Sequence, residues 1–251
     1  MIGALAVESN TTTPAVEIAE LRFRWRPDRP WVLDIPSFAL AAGERLFLAG
    51  PSGSGKSTLL ALIAGINLAT AGRVTVFGAN LADLSGSARD RFRADRLGVI
   101  FQMFNLLPYL SVLENATLPC RFSARRRLRA IAAAGSVPAE ARRLLAHLGM
   151  DEPGLEHRAV AELSVGQQQR VAATRALIGR PDLIVADEPT SALDADLRLE
   201  FVELLHRECE SVGAALLFVS HDRALADHFD RVAGTTRSQH RTVRGVSPWL
   251  S

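Results

Sequence analysis

The chain has 251 residues, a formal net charge of +2, 48% hydrophobic and 22% charged residues, the size and balance of one large globular domain or two small ones. Its 18 Gly and 12 Pro lie near ordinary usage, which excludes disordered, collagen-like and coiled-coil classes. The longest apolar stretches, near residues 130–137 and 214–219, fall far short of the roughly eighteen uncharged residues a spanning helix needs. The first ten residues have a brief apolar patch, no basic lead-in and an early Glu8, so no secretory signal is expected. Cys120 and Cys209 form no CxxC pair and no even framework, which fits a reducing cytosol. The N-x-Thr sequons at Asn10 and Asn115 have meaning only in a secreted chain. Lys56 is the only lysine, every other long basic side chain being arginine.

Taken in chain order, Val16, Ile18, Leu21, Phe23 and Trp25 alternate with polar residues over much of their length, as in a half-buried strand. A turn is expected over 26–30, extended chain at Val32–Ile35 and Phe38–Leu40, a turn at Ala42-Gly43-Glu44, and a buried strand at Arg45–Ala49 that runs into a glycine-rich loop. Ser57–Ile66 has helical spacing, Gly72–Phe77 reads as a strand, Arg89–Arg96 as a charged helix and Leu97–Phe101 as a strand. Residues 105–163 carry mostly helical patterns broken at Pro108, Pro119, Pro138 and Pro153, and are expected to form a helical insertion. Strand character returns at Leu183–Ala186 and Ala215–Ser220 around a helix near 195–211, an alternation that indicates a parallel α/β sheet.

Gly50-Pro51-Ser52-Gly53-Ser54-Gly55-Lys56-Ser57 fits G-x-x-x-x-G-K-[ST] between an expected strand and an expected helix, the context that makes the motif credible. Its glycines let backbone N–H groups wrap an anion, the helix N-terminus points its positive end at phosphates, and Lys56 adds a point charge. Ser57 is the expected Mg²⁺ ligand, and Thr58 follows it at the nucleotide. A flexible glycine turn is the bland alternative. Leu183-Ile184-Val185-Ala186-Asp187-Glu188 is an apolar strand ending in two carboxylates. Asp187 can hold Mg²⁺ through water and Glu188 can orient or deprotonate the attacking water. Alone, such a pair is as readily a solvated loop; the upstream phosphate loop favours function.

With these motifs in place, Leu163-Ser164-Val165-Gly166-Gln167 resembles the LSGGQ signature of the ABC (ATP-binding cassette) family, and Gln168-Gln169-Arg170-Val171-Ala172 and Arg175-Ala176-Leu177 are similar to its continuation. Val165 replaces the commoner Gly, while Ser164 and Gly166 remain to approach a phosphate. Gln102 resembles the glutamine of the Q-loop, Ser191-Ala192-Leu193-Asp194 the D-loop, Pro189-Thr190 the usual stretch after the catalytic glutamate, His221 the switch histidine, and Trp25 the aromatic stacked on adenine, with Phe23 its rival. The resemblance covers about residues 15–232. It implies an α/β P-loop NTPase with a parallel RecA-like core, an N-terminal antiparallel β subdomain and an inserted helical subdomain. It also implies a single ABC ATPase domain over 1–251, divided as 15–101, 102–164 and 165–251.

The resemblance further implies that two copies pair head to tail, ATP and Mg²⁺ being held by Lys56 and its loop from one copy and by Ser164, Gly166 and Gln167 from the other. Glu188, His221, Lys56 and Gln102 would then be catalytic, Ser57, Gln102 and Asp187 would serve the metal, and Asp194 would lie at the copy-to-copy contact. A separate transmembrane subunit would dock on the helical insertion and contact a small-molecule or lipid cargo, placing this chain on the cytoplasmic face of the inner (plasma) membrane. Phe101–Pro108 with Leu113-Glu114-Asn115 and Leu118-Pro119 resembles the branch of lipoprotein release, macrolide-type efflux and the cell-division complex. The alternatives are an ABC ATPase acting as a regulatory or force-transmitting switch, or a soluble one acting on nucleic acid. The run Arg121-Phe122-Ser123-Ala124-Arg125-Arg126-Arg127-Leu128-Arg129 permits phosphate contacts, but the balanced net charge favours a solvated helix face or a contact with anionic headgroups over DNA. A GTPase would need N-K-x-D, which a chain whose only lysine is Lys56 lacks. After Val232 the polar stretch to Arg244 leaves the expected last apolar strand short, altered or absent.

Overall fold

A computed structural model describes residues 13–191, 193, 195–235 and 243–244. Asp194, Ala192, Asn10 and most of the tail after Thr235 lie outside the described residues. In chain order the elements are β1 (Val16–Phe23), β2 (Leu33–Leu40), β3 (Arg45–Ala49), α1 (Lys56–Ile63), β4 (Ala71–Val76), β5 (Ala79–Asn80), α2 (Gly86–Arg96) and β6 (Leu97–Ile100). There follow α3 (Val112–Thr117), α4 (Pro119–Phe122), α5 (Ala124–Ala134), α6 (Val137–His147), α7 (Val165–Leu177), β7 (Leu183–Asp187), α8 (Ala195–Val212), β8 (Ala215–Ser220), β9 (Arg231–Thr235) and β10 (Val243–Arg244).

The first sheet is four-stranded in the order β2-β1-β4-β5, with antiparallel neighbours throughout. Its alternation changes phase inside β1: Val16 and Ile18 are buried, and then Leu21 and Phe23. The cause is a bulge at Glu20, whose φ of 51° coincides with a register shift against β4 between Ala19 and Arg22. Gly72 faces that bulge so closely that a Cβ there would lie 2.1 Å from the Glu20 carbonyl oxygen.

The second sheet has the order β10-β9-β3-β8-β7-β6 and is parallel except for the β9–β10 pair. Its central strands are continuous apolar runs because both faces are covered. Leu46, Leu48, Leu183, Val185, Leu217 and Val219 pack with α1 and the first sheet, while Phe47, Ile184, Ala186, Leu216 and Phe218 pack with the helices of the other side. Each fully buried large side chain contributes roughly 1.5–3 kcal/mol, so this two-faced slab is the stable frame. The edge beyond β3 exists despite its polar sequence: Val232 and Ala233 of β9 pair with Phe47 and Leu48.

Between β6 and β7 the described residues form helices and one isolated bridge, Ser111 to Ala159. Two of the prolines start helices instead of breaking them, since Pro119 and Pro138 stand in the first turns of α4 and α6, where a missing N–H costs nothing. Asn115 is fully buried and stitches the preceding loop, its Oδ1 accepting from Leu107 N at 2.9 Å and its Nδ2 donating to the carbonyls of Leu107, Leu110 and Ser111. Its side chain is thus fully occupied and unavailable to a glycan.

The arginine run does not form the solvated face that its composition suggests. Arg126 is 2% exposed and donates from Nε to Ile178 O at 2.7 Å, from Nη1 to Leu97 O at 3.2 Å, and from Nη2 to Ala176 O at 2.6 Å and Arg175 O at 3.2 Å. These include the orphan carbonyls that end α7, which a cation both satisfies and favours through the helix dipole. Burial pushes the Arg126 guanidinium down to about 10, which leaves it charged near neutrality. Arg125 and Arg129, with Arg96, converge on Asp182 at 2.9, 2.9 and 3.1 Å. Only Arg121 and Arg127 of the run's arginines are exposed.

His206 on α8 is 8% exposed, packs edge-on against Phe229 at 4.7 Å, and its Nε2 has no hydrogen-bond partner among the described residues. Burial, and then the charge of Arg45, push its pKa down to about 4 from 6.5. The unfolded chain therefore takes up that proton first, and the stability linked to His206 is complete above pH 6.5 and is lost as pH falls toward 4. His206→Leu should flatten this part of the profile, measured as the urea midpoint against pH.

Candidate functional site

β3, β6, β7 and β8 are parallel neighbours, so their carboxyl ends open on one edge, where ligands of such sheets bind. β3 delivers the loop 50–55, β6 leads to Gln102, β7 ends in Asp187 and Glu188, and β8 leads to His221. A cavity of about 590 Å³ at this edge is lined by Trp25, Val32, Ser52, Gly53, Gly55, Lys56, Ser57, Thr58, Gln102, Glu188 and His221. Its size suits a small ligand.

The loop takes its shape from its glycines. Gly53 and Gly55 have φ of 73° and 91°, and Gly55 is the N-cap of α1, so successive N–H groups and a helix N-terminus face one point. Lys56 is 5% exposed, and its Nζ donates to Gly50 O at 2.7 Å and Pro51 O at 3.0 Å and lies 3.6 Å from Glu188 Oε1. Ser54 is buried under the loop and donates its N–H to Pro51 O at 3.2 Å.

Glu188 is a non-glycine residue at φ 46°, a conformation costing about 1–3 kcal/mol that persists only where the surroundings over-determine it. Here its N–H donates to Val219 O at 2.9 Å, and its carboxylate lies between Lys56 and His221, whose Nδ1 stands 3.0 Å from Glu188 Oε2. The ion pairing and the strained turn together hold the carboxylate toward the cavity. Burial raises the Asp187 carboxyl above its usual range despite a hydrogen bond with Ser57, and neighbouring Glu188 raises it further. A hard divalent cation between Ser57 and Asp187 would relieve that cost, and the oxygen donors fit Mg²⁺ completed by water and phosphate.

Trp25 is 60% exposed just beyond β1, while Phe23 is buried and meets it edge-on at 5.0 Å. The exposed indole face is therefore the one open to a base. Ser164, Gly166 and Gln167 do not line this cavity. They begin α7, where Ser164 Oγ accepts from Gln167 N at 3.3 Å and Gln167 Oε1 accepts from Ser164 N at 3.0 Å, a reciprocal capping box.

Sequence reading misses three residues. Val32 enters the cavity wall from the residue just before β2, with only apolar character to mark it. Arg198 donates to Leu193 O at 2.8 Å and Asp222 Oδ2 at 2.7 Å, anchoring the segment after Glu188 and the segment that carries His221. Asp222 also caps the turn after His221 by accepting from Ala224 N at 3.1 Å. An Asp next to His221 is the one signal available for this pair.

A profile of the ABC transporter family matches residues 33–191. The chain is 40% identical to the lipoprotein-releasing system ATP-binding protein LolD of Anaeromyxobacter dehalogenans over 222 residues, 88% of this chain and 90% of the relative. It is 39% identical to an uncharacterized ABC transporter ATP-binding protein of Mycobacterium tuberculosis, Rv0986, over 87% of this chain and 86% of the relative. The ATP-binding cassette MJ0796 in a dimeric post-hydrolysis state with ADP and Pi superposes with a TM-score of 0.75 at 33% identity, covering 87% of this chain and 93% of that one.

A Cβ at Gly55 would lie 2.8 Å from Leu33 Cδ2 and 3.3 Å from Val32 O, at a φ that L residues avoid. Gly55→Ala should destabilise the fold by about 1–3 kcal/mol, read as a lowered melting temperature, and should blunt phosphate binding by displacing the start of α1.

Proposed function

The chain belongs to the ABC transporter family as an ATP-binding subunit and ATPase, and from that premise we propose that two copies close head to tail on two ATP molecules to drive extrusion through a separate membrane subunit. The observation that carries this reading is a division within the chain: Lys56, Ser57, Gln102, Glu188 and His221 share one cavity, while Ser164 and Gly166 open a helix outside it. A cavity with a phosphate loop, a carboxylate and a histidine, but without the signature, is completed by a second copy.

In this reading Trp25 stacks on adenine, the loop 50–55 and Lys56 hold the β- and γ-phosphates, and Thr58 and Ser57 support them from the first turn of α1. Ser57 and Asp187, with Gln102, hold Mg²⁺, which supplies charge neutralisation on the phosphates. Glu188 orients and takes a proton from the attacking water, and His221, in contact with Glu188, positions that water at the γ-phosphate. Ser164 and Gly166 of the second copy present the N-terminus of α7 to the γ-phosphate, so ATP joins the copies and hydrolysis releases them. Asp194 belongs to the copy-to-copy contact.

No helix among the described residues is long and apolar enough to cross a membrane, so a transport role needs a membrane partner, with this chain peripheral on the cytoplasmic face of the inner membrane. An apolar groove of about 670 Å³ between α2 and the helical insertion suits a short cytoplasmic helix of that partner, with Phe122 72% exposed on one wall and Ile66 51% exposed on the other. The likeness to LolD supports a lipid-linked or other amphipathic cargo held by the partner and not by this chain.

Glu188→Gln should trap an ATP-bound dimer, seen by size exclusion with saturating ATP and Mg²⁺; a monomer under those conditions would overturn the two-copy reading or the role of Glu188. Tagged chain purified from detergent-solubilised membranes should bring down a polytopic protein with a large extracytoplasmic domain, and Phe122→Glu should abolish that recovery without lowering the melting temperature. Recovery of nucleic acid instead would sink the transporter reading.

A further inference from the structure

Arg126 and Arg175 meet at the C-terminal end of α7, where three parts of the proposed cycle come together. Arg126, from the helical insertion, grips the last turn of α7 through the carbonyls of Arg175, Ala176 and Ile178, and grips β6 through Leu97 O. Two glycines permit this approach: a Cβ at Gly98 of β6 would lie 2.3 Å from Ala176 O, and one at Gly179 would lie 2.5 Å from Arg126 O. Arg175 reaches the other way, Nη1 donating to Asn105 O at 2.7 Å and Nη2 to Phe104 O.

Phe104 and Asn105 are consecutive non-glycine residues in the left-handed region, with φ of 60° and 50°, a conformation that survives only where neighbours impose it. They start two residues beyond Gln102, which lines the nucleotide cavity. Arg175 is the neighbour that holds both of their carbonyls. At its other end α7, an unbroken helix of 13 residues, is capped by Ser164, about 17 Å from Arg175 at 1.5 Å per residue. A helix of that length moves as a rod, so a shift imposed at Arg175 reappears at Ser164 and Gly166.

We propose that Arg175 and Arg126 are positioning residues, Arg175 tying α7 to the loop after Gln102 and Arg126 fixing the same end of α7 to β6, so that the setting of that loop in one copy decides where Ser164 and Gly166 stand for the nucleotide of the other. Both arginines also line the groove between α2 and the helical insertion, so an occupant of the groove presses on the same junction. The inference rests on the two-copy site proposed above and adds the residues that would couple its halves.

Arg175→Lys keeps the charge but replaces a fork that spans two carbonyls with a single ammonium. In the Glu188→Gln background, this variant should bind a fluorescent ATP analogue within about two-fold of its parent, since Arg175 is outside the nucleotide cavity, while ATP-driven dimerisation weakens about ten-fold or more by analytical ultracentrifugation. With Glu188 restored, kcat should fall by a similar factor and KM should change little, the pattern of lost transition-state positioning. Arg126→Lys, which cannot serve four carbonyls, should give the same signature and keeps the test open should Arg175→Lys fold poorly. Undiminished dimerisation in both variants overturns the proposal, as does a loss of ATP affinity and melting temperature in step with dimerisation, which marks a structural role alone. A Glu188→Gln parent that stays monomeric overturns the two-copy reading or the role of Glu188, and this proposal with it, whereas a dimerising parent with indifferent arginine variants removes only the coupling.

Discussion

Because β3, β8, β7 and β6 lie parallel and adjacent, their carboxyl ends share one edge, and the chemistry of the chain hangs from that edge. The loop 50–55, Gln102, Asp187, Glu188 and His221 are far apart in sequence and converge only through this register: Ala49 pairs with Ser220 and Asp187 with Val219. A one-residue slip of β7 would turn its side chains to the opposite faces and carry the acidic pair out of line with Lys56. The apolar burial on both faces of the sheet, from Leu46 and Phe47 to Leu217 and Phe218, is what makes such a slip costly. Packing energy in the slab thus fixes the geometry of charges at its rim.

At the rim the chain spends some of that stability. Glu188 sits left-handed, Asp187 is driven toward protonation by burial and by Glu188, and Lys56 is buried beside both loop carbonyls and the acid. None of these would be retained by a site selected for stability alone, and strain of this kind concentrates where a ligand is to be gripped. A triphosphate and its cation would meet two of these demands at once: negative oxygens for Lys56 and the loop N–H groups, and a divalent charge for Asp187.

The architecture was legible in the sequence, since alternating strands and helices around a helical insertion predicted the parallel sheet that the structure shows. Loop 50–57 and the strand ending in Asp187-Glu188 follow patterns whose chemistry is local, whereas His221 was reached only through the family resemblance, and the structure brings residues of the loop, Glu188 and His221 to one cavity. The choice between Trp25 and Phe23 was not legible, since alternation puts both on one face; β1 ends at Phe23, which is buried, and Trp25 is exposed beyond the strand end. The arginine run misled because a block of like charges reads as solvated unless its acceptors are known. Those acceptors are backbone carbonyls at the end of α7 and the side chain of Asp182, about fifty residues away, and no local pattern announces them. Pro119 and Pro138 misled in the same way, since a proline marks a helix boundary without telling which side of it the helix lies on.

The one-sided use of arginine has a physical sense that composition alone could not separate from bias. Arg126 serves four carbonyls, Arg175 serves two, and Arg198 joins a carbonyl to a carboxylate, tasks that need a planar fork with donors in several directions. A lysine in place of Arg126 would leave buried acceptors unpaired, at a cost of about 1–3 kcal/mol each, and one in place of Arg175 or Arg198 would give up the fork that spans two acceptors. Lys56 faces the opposite demand. In its proposed role it threads a narrow loop, its Nζ already held by Gly50 O and Pro51 O, to deliver a compact charge among phosphate oxygens, where a guanidinium is too broad. The single ammonium stands at the proposed phosphate site, and forked cations stand at the junctions that orient the elements around it. This division is what a switch requires, because the point charge responds to the nucleotide while the forks hold α7, the Gln102 loop and the His221 segment in fixed relation to one another.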